Sequence, residues 1–393
     1  MSETYTFMVV SRPNIITTVQ FTPPDSNPPD SPDSTPPDPT RVSSRLELSG
    51  QPTWIEQHPT RPFVFVSLKG DEGKIAAIKV DNTGSGKLVA ATTTRGAKPV
   101  HFWVGADRIV VANYEGPRDC ELAQVLLNPI GDPWDIFLKT LTITLPPAAD
   151  GKRQVSQVYQ PIFNPESTPE SLELLVPDNG TDHICRLSFV KDDDGQWILR
   201  HDAPVKGPDD PHPTEISGAR HLLVHEGLLY LISETRCELR VYLIAPLEPK
   251  GPYSISEPKK PLQTVKRSST DHTLATEIVI KPPAKPERSS RTEQTWILVS
   301  HKDDASELGD PIAIFSVCQG RCKKVGEVRP KLKNLKGMRF SQDGKYLVVG
   351  GSDFGGVKVF EWNGKEDEWV KEVGSLPIEN PVGFVWLNVD KPV

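Results

Sequence analysis

Two segments carry residue types able to do chemistry on a small molecule. In SGARHLLVHEGLLYLISE, Arg220 and His221 stand before one apolar run and Glu234 closes the next. A guanidinium can clamp a carboxylate or phosphate through paired hydrogen bonds. A carboxyl whose pKa is raised toward neutrality by a dry pocket can deliver or remove a proton. The same arginine and glutamate could instead form a structural ion pair tying two strands together. Upstream, Tyr159 in SQVYQPIFNP offers a phenol that can hydrogen-bond a developing oxyanion, or can simply pack at a strand edge. His221 and His225 would share one face of a strand, but no third ligand lies near them in sequence, and no metal is expected.

Other motifs have ordinary readings. NTGSGKL (82–88) imitates the end of a phosphate-binding loop, yet Leu88 stands where a magnesium-holding Ser or Thr is needed, so a hairpin turn is expected. Cys318 and Cys322 form a lone pair with no second half for structural zinc. Asp192-Asp193-Asp194-Gly195 fits a turn rather than a calcium loop, and no Gly-x-Ser-x-Gly elbow is present. Asn179-Gly180-Thr181 fits a glycosylation sequon but carries little meaning without a signal peptide.

The elements that must position these residues are short strands. A turn followed by an apolar core recurs seven times, at 4–12, 58–68, 104–114, 164–178, 224–234, 293–301 and 341–351. Most cores are followed by a second strand-like run, as in GKIAAIKV (73–80) and ELRVYLI (238–244). Seven such cores without helical periodicity predict an all-β, seven-bladed β-propeller with four-stranded antiparallel blades around a central channel. Residues 1–393 are expected to form one such domain, closed by the N-terminal strand pairing with sequence near 382–389. TPPDSNPPDSPDSTPPDPT (22–40) is too rich in Pro and too poor in apolar groups to pack, and is expected to be a mobile loop within it. Stretches 248–261 and 281–294 read as surface insertions.

With a net charge of −7 and no strong basic run, the chain lacks the footprint of a nucleic-acid binder. The densest basic cluster, Arg321 to Lys336, reads as solvated loop and strand-edge charge. No run approaches a membrane helix, and the first residues lack a secretory pattern. Five cysteines, odd in number and mostly isolated, suit reduced, buried thiols, so a cytoplasmic protein is expected.

Taken together, SGARHLLVHEGLLYLISETRCELRVYLI (217–244), GMRFSQDGKYLVVGGSDFGGVKVFEW (337–362), VVANYEG (110–116) and GQPTWIEQHP (50–59) resemble the lactonase-type propeller family. That family includes bacterial 6-phosphogluconolactonases and fungal carboxy-cis,cis-muconate lactonizing enzymes. The resemblance runs from about residue 50 to the C-terminus. It implies an active site containing Arg220 and Glu234, with His221 following the arginine as in the phosphogluconolactonase-like branch.

Two departures from the family pattern stand out. Gln157 and Tyr159 replace its histidines, and Lys302 replaces a further arginine. Lysine keeps the charge but not the bidentate fork. The implied activity is metal-independent and cofactor-free: opening or forming a small anionic lactone, the latter from an unsaturated dicarboxylate. Glu234, Arg220, Tyr159 and His221 would act in catalysis, and Arg220, Lys302 and Gln157 in substrate binding. The alternatives are a catalytically degenerate propeller that binds a ligand or protein, and a calcium-dependent lactonase, which would need Asp, Asn and Glu oxygens converging on the channel axis. The substrate and the oligomeric state are left open.

Overall fold

The computed structural model describes residues 4–24, 38–115, 121–129, 135–143, 145, 156–165, 167, 172–190, 196–205, 215–244, 255, 260–266, 272–283 and 294–388. Twenty-eight strands, β1 to β28 in chain order, are assigned among them, and they form seven four-stranded antiparallel sheets. Each sheet is one blade of a propeller. The core of the Pro-rich segment (25–37), Asp192 to Gly195, Cys120, Gly116 and most of 248–261 and 281–294 lie outside the described residues.

Six blades run from inside to outside in chain order or its reverse, beginning at the inner strands β4 (Gln51–Gln57), β8 (Ala97–Val104), β12 (Ile162–Phe163), β16 (Ala219–His225), β20 (Leu274–Ile280) and β24 (Lys333–Phe340). The seventh has the order β28-β1-β2-β3, built from Pro381–Trp386, Tyr5–Ser11, Ile15–Phe21 and Thr40–Glu47. The expected closure is therefore present. Val9 pairs with Phe384 and Phe7 with Trp386, and Leu387 N–H donates to the Thr6 carbonyl at 2.8 Å. Inner strand β28 touches β24 on one side and β4 on the other, which completes the ring.

The seven sequence cores are the second strands of the blades, and the burial pattern explains why they stand out. β5 (Phe63–Lys69) and β17 (Leu228–Ser233) are buried on both faces, because a blade is covered by a neighbour on each side. Alternate residues serve opposite interfaces. On β1, Phe7 and Val9 pack toward the preceding blade, while Met8 and Val10 pack toward the following one. Outer strands such as β23 (Arg321–Val328) are half solvated. Seven apolar clusters, one per blade interface, take the place of a single core.

The NTGSGKL stretch is a hairpin turn, as expected: Asp81 Oδ1 accepts the backbone N–H of Thr83 and Ser85, both at 2.9 Å. Cys185 and Cys237 are buried, whereas Cys318 and Cys322 are only partly buried, at the ends of an exposed edge hairpin.

Candidate functional site

All inner strands run the same way along the channel, so their N-terminal ends and the C-terminal ends of the second strands meet at one mouth. A cavity of about 340 Å³ occupies that mouth, and every blade contributes to its wall. Arg12 and Val382 come from the closing blade, Tyr114 from the end of β9 (Arg108–Glu115), and Lys302 from the end of β21 (Thr295–Lys302). Tyr159, Arg220, His221 and Glu234 also line it, so that with Lys302 all of the residues proposed from sequence except Gln157 border the cavity.

A repeated irregularity aims these side chains. In β4, β8, β16 and β24 the register against the second strand shifts, which leaves Thr53, Val100, Arg220 and Lys336 as extra residues at the mouth. A β-bulge bends its strand and redirects one side chain, and here four blades use it to face the cavity. Before Arg220, Gly218 adopts φ +74°, and a Cβ there would meet Asn179 and Glu234 at 3.3 Å. Glycine thus permits both the turn and the close approach of the glutamate.

Arg220 is the hub. Its Nη1 donates to Glu234 Oε1 at 2.6 Å, its Nη2 to the Tyr159 hydroxyl at 2.6 Å, and its Nε to the Thr276 carbonyl at 2.9 Å. The guanidinium also lies over the Tyr159 ring at 4.2 Å. Lys302 Nζ approaches Glu234 Oε1 at 3.6 Å, and Asn179 donates to Oε2 at 3.1 Å.

These partners reverse the expectation that a dry pocket would raise the Glu234 pKa. Burial does push it upward, but the charges of Arg220 and Lys302 and the hydrogen bonds from Arg220 and Asn179 outweigh burial and hold it below the usual range. Glu234 is a carboxylate at neutral pH, suited to accept a proton and not to supply one. Burial raises the Tyr159 pKa, so it remains a phenol. Its oxygen accepts from Arg220, which leaves its own proton for another acceptor.

Gln157 stands one step back from the wall: its side chain accepts from the Tyr114 hydroxyl at 3.1 Å, and its backbone N–H donates to Asp178. It positions Tyr114 and does not border the cavity. Lys336, which the sequence reading placed among solvated charges, is instead half-buried on the cavity wall. Burial lowers its pKa, and the nearby charges of Arg12 and Lys302 add to the effect. Comparing blades would have found it, because Lys336 occupies in its bulge the place that Arg220 occupies in its own. Tyr114 lies in the family-like segment VVANYEG, whereas Arg12 and Asn179 carry no comparable signal.

Among the described residues, no group of three or more His, Cys, Asp or Glu is arranged to hold a metal ion. No helix among them is long and apolar enough to cross a membrane.

The model of the lactonase, seven-bladed β-propeller family matches residues 40–386. The chain belongs to this family. The match starts after β1 and β2, which nonetheless complete the closing blade. Similar solved structures include a proposed 6-phosphogluconolactonase from Bacteroides fragilis, at 18% identity and TM-score 0.72 over 98% of each chain. Another from Bacteroides uniformis has 16% identity and TM-score 0.72, covering 98% of this chain and 99% of that one. The periplasmic gluconolactonase PpgL of Pseudomonas aeruginosa has 15% identity and TM-score 0.69, covering 98% of this chain and 100% of that one. Likeness at these identities is likeness of fold. None of the curated proteins matches this lactonase-family chain by sequence.

Proposed function

We propose that this lactonase-family propeller opens or forms a small anionic lactone in the mouth cavity. The observation that carries the reading is the charge of the wall: Arg12, Arg220, Lys302 and Lys336 surround one carboxylate, Glu234. Such a wall favours a substrate bearing a carboxylate or phosphate in addition to its lactone, because four cations facing one carboxylate leave the cavity lining with a surplus of positive charge.

In lactone opening, Glu234 takes a proton from the attacking water. Tyr159, with its oxygen already engaged by Arg220, donates a hydrogen bond to the carbonyl oxygen as negative charge develops there. Arg220 holds both of these groups in place and supplies charge beside the reacting carbonyl. Lys302 and Lys336 hold the substrate's remote anion. The reverse sequence closes a hydroxy acid, and an unsaturated dicarboxylate closes when one carboxylate oxygen adds to the double bond and the neighbouring carbon takes a proton from solvent.

A second reading is favoured by the pairing of Glu234 with both Arg220 and Lys302, which satisfies the carboxylate without a substrate. In that case the mouth binds an anion and performs no chemistry. Hydrolysis of 6-phosphogluconolactone, gluconolactone and carboxymuconolactone, measured above the spontaneous rate, separates the two. Turnover with preference for the charged lactones supports the enzyme, and binding of the anions without turnover of any supports the second reading.

A further inference from the structure

A second cavity, of about 520 Å³, occupies the opposite end of the channel. Between the two, inner strands bring Trp54, His101, His221 and Glu277 to a narrow waist. Trp54 lies 4.1 Å from His101 and 6.2 Å from His221, ring centroid to centroid. His101, His221 and Glu277 are 4%, 2% and 3% exposed. Even so, both ring nitrogens of His101, Nδ1 of His221 and Oε2 of Glu277 have no hydrogen-bond partner among the described residues. Buried polar atoms are rarely left unpaired without a functional reason.

Burial raises the Glu277 pKa to about 8, against the opposing charges of Arg339 and Arg220. Arg339 is already held by Glu56 through two hydrogen bonds of 2.7 Å. Burial and the charges of Arg220 and His101 keep His221 well below the usual histidine range, and burial together with Arg339 does the same to His101. At neutral pH the cluster's proton therefore sits on Glu277, and both imidazoles are neutral. His221 Nδ1 lies 3.6 Å from Glu277 Oε1, which sets the two groups side by side. His221 borders the mouth, and Glu277 borders the opposite cavity.

We propose that His221 and Glu277 form a proton relay across the channel waist, linking a substrate in the mouth to solvent in the opposite cavity. The chemical step rests on the lactone reading above. When water attacks the carbonyl and the ring C–O bond breaks, the departing oxygen takes the proton from Nε2 of His221. Nδ1 of His221 then takes the Glu277 proton, which leaves a neutral imidazole and a Glu277 carboxylate. The carboxylate recovers a proton from solvent through the opposite cavity, Glu234 returns to solvent the proton it took from water, and His221 regains its starting form by taking a solvent proton at Nε2 in the mouth and releasing the one at Nδ1. In this arrangement His221 touches the substrate and Glu277 acts through it.

The relay is tested first without any substrate. In wild type labelled with ¹⁵N-histidine and ¹³C-glutamate, the Glu277 carboxyl and the His221 ring nitrogens should shift together with pH through one midpoint near 8. Assignment uses His221→Asn, and the histidine shift should vanish in Glu277→Gln. A Glu277 carboxylate already ionised at pH 6, or His221 signals indifferent to it, would overturn the proposal. With a lactone that is turned over, Glu277→Gln should lower kcat about 10²-fold with KM unchanged and remove the fall of rate on the alkaline side. Retention of the wild-type alkaline limb would overturn the relay. Linked titration with no turnover of any lactone by wild type would uphold the proton linkage and sink the lactone reading instead.

Discussion

The raised pKa of Glu277 makes folding stability depend on pH, with a size and sign that follow from its surroundings. Its carboxyl moves from 4.5 to about 8 on folding. Between those values the folded chain holds a proton that the unfolded chain has released, so stability falls as pH rises. The contribution is complete below the unfolded value and lost once pH has passed through the folded one. At about 1.4 kcal/mol per unit, the loss is on the order of 5 kcal/mol. The groups facing Glu277 are Arg339 of β24, Arg220 and His221 of β16, Glu56 of β4 and His101 of β8. They are the same in Glu277→Gln, so the difference between the two proteins isolates the one carboxyl. Urea unfolding of both at intervals from pH 5 to 9 should show the variant gaining on wild type up to about pH 8, then a plateau. A difference that stays flat over that range would show Glu277 to be ionised in the folded state, and the account of the waist would be wrong.

Arg220→Ala should lower kcat for an anionic lactone by about 10- to 100-fold, because Glu234 and Tyr159 lose the charge-assisted hydrogen bonds that hold them, as steady-state kinetics would show. Lys336→Met should raise KM several-fold for a phosphorylated lactone and leave a neutral one unaffected; an equal effect on both would remove Lys336 from the anion site. Phe7→Ala, which empties a fully buried position against Trp386 at 4.9 Å, should cost about 3–5 kcal/mol in denaturant unfolding. A cost below about 1 kcal/mol would mean that β1 contributes little to ring closure. Joining residue 24 to residue 38 should change stability by less than about 1 kcal/mol, since Thr22 N–H already bonds the Pro39 carbonyl at 2.8 Å across the base of the segment. A loss above about 2 kcal/mol would mean that residues 25–37 pack on a blade.

The sequence by itself determined the blades. A second strand covered on both faces must be apolar at nearly every position, so cores such as PFVFVSL and GLLYLIS are visible without knowledge of their neighbours. Counting them gave the number of blades, and including the first of them implied closure by both termini. Resemblance to a family supplied Arg220, His221, Glu234, Lys302 and Tyr159, which do converge on one cavity. Only the tertiary structure decided what these residues are able to do. Glu234 holds its negative charge because cations from its own blade and the next lie against it, and Lys336 leaves the solvent because a bulge turns it inward. Glu277 was invisible in LATEIVI, where one acidic residue in an apolar strand reads as an exposed face. Its role arises from burial against side chains far away in sequence, and the energy of a charge is set by such surroundings rather than by local pattern.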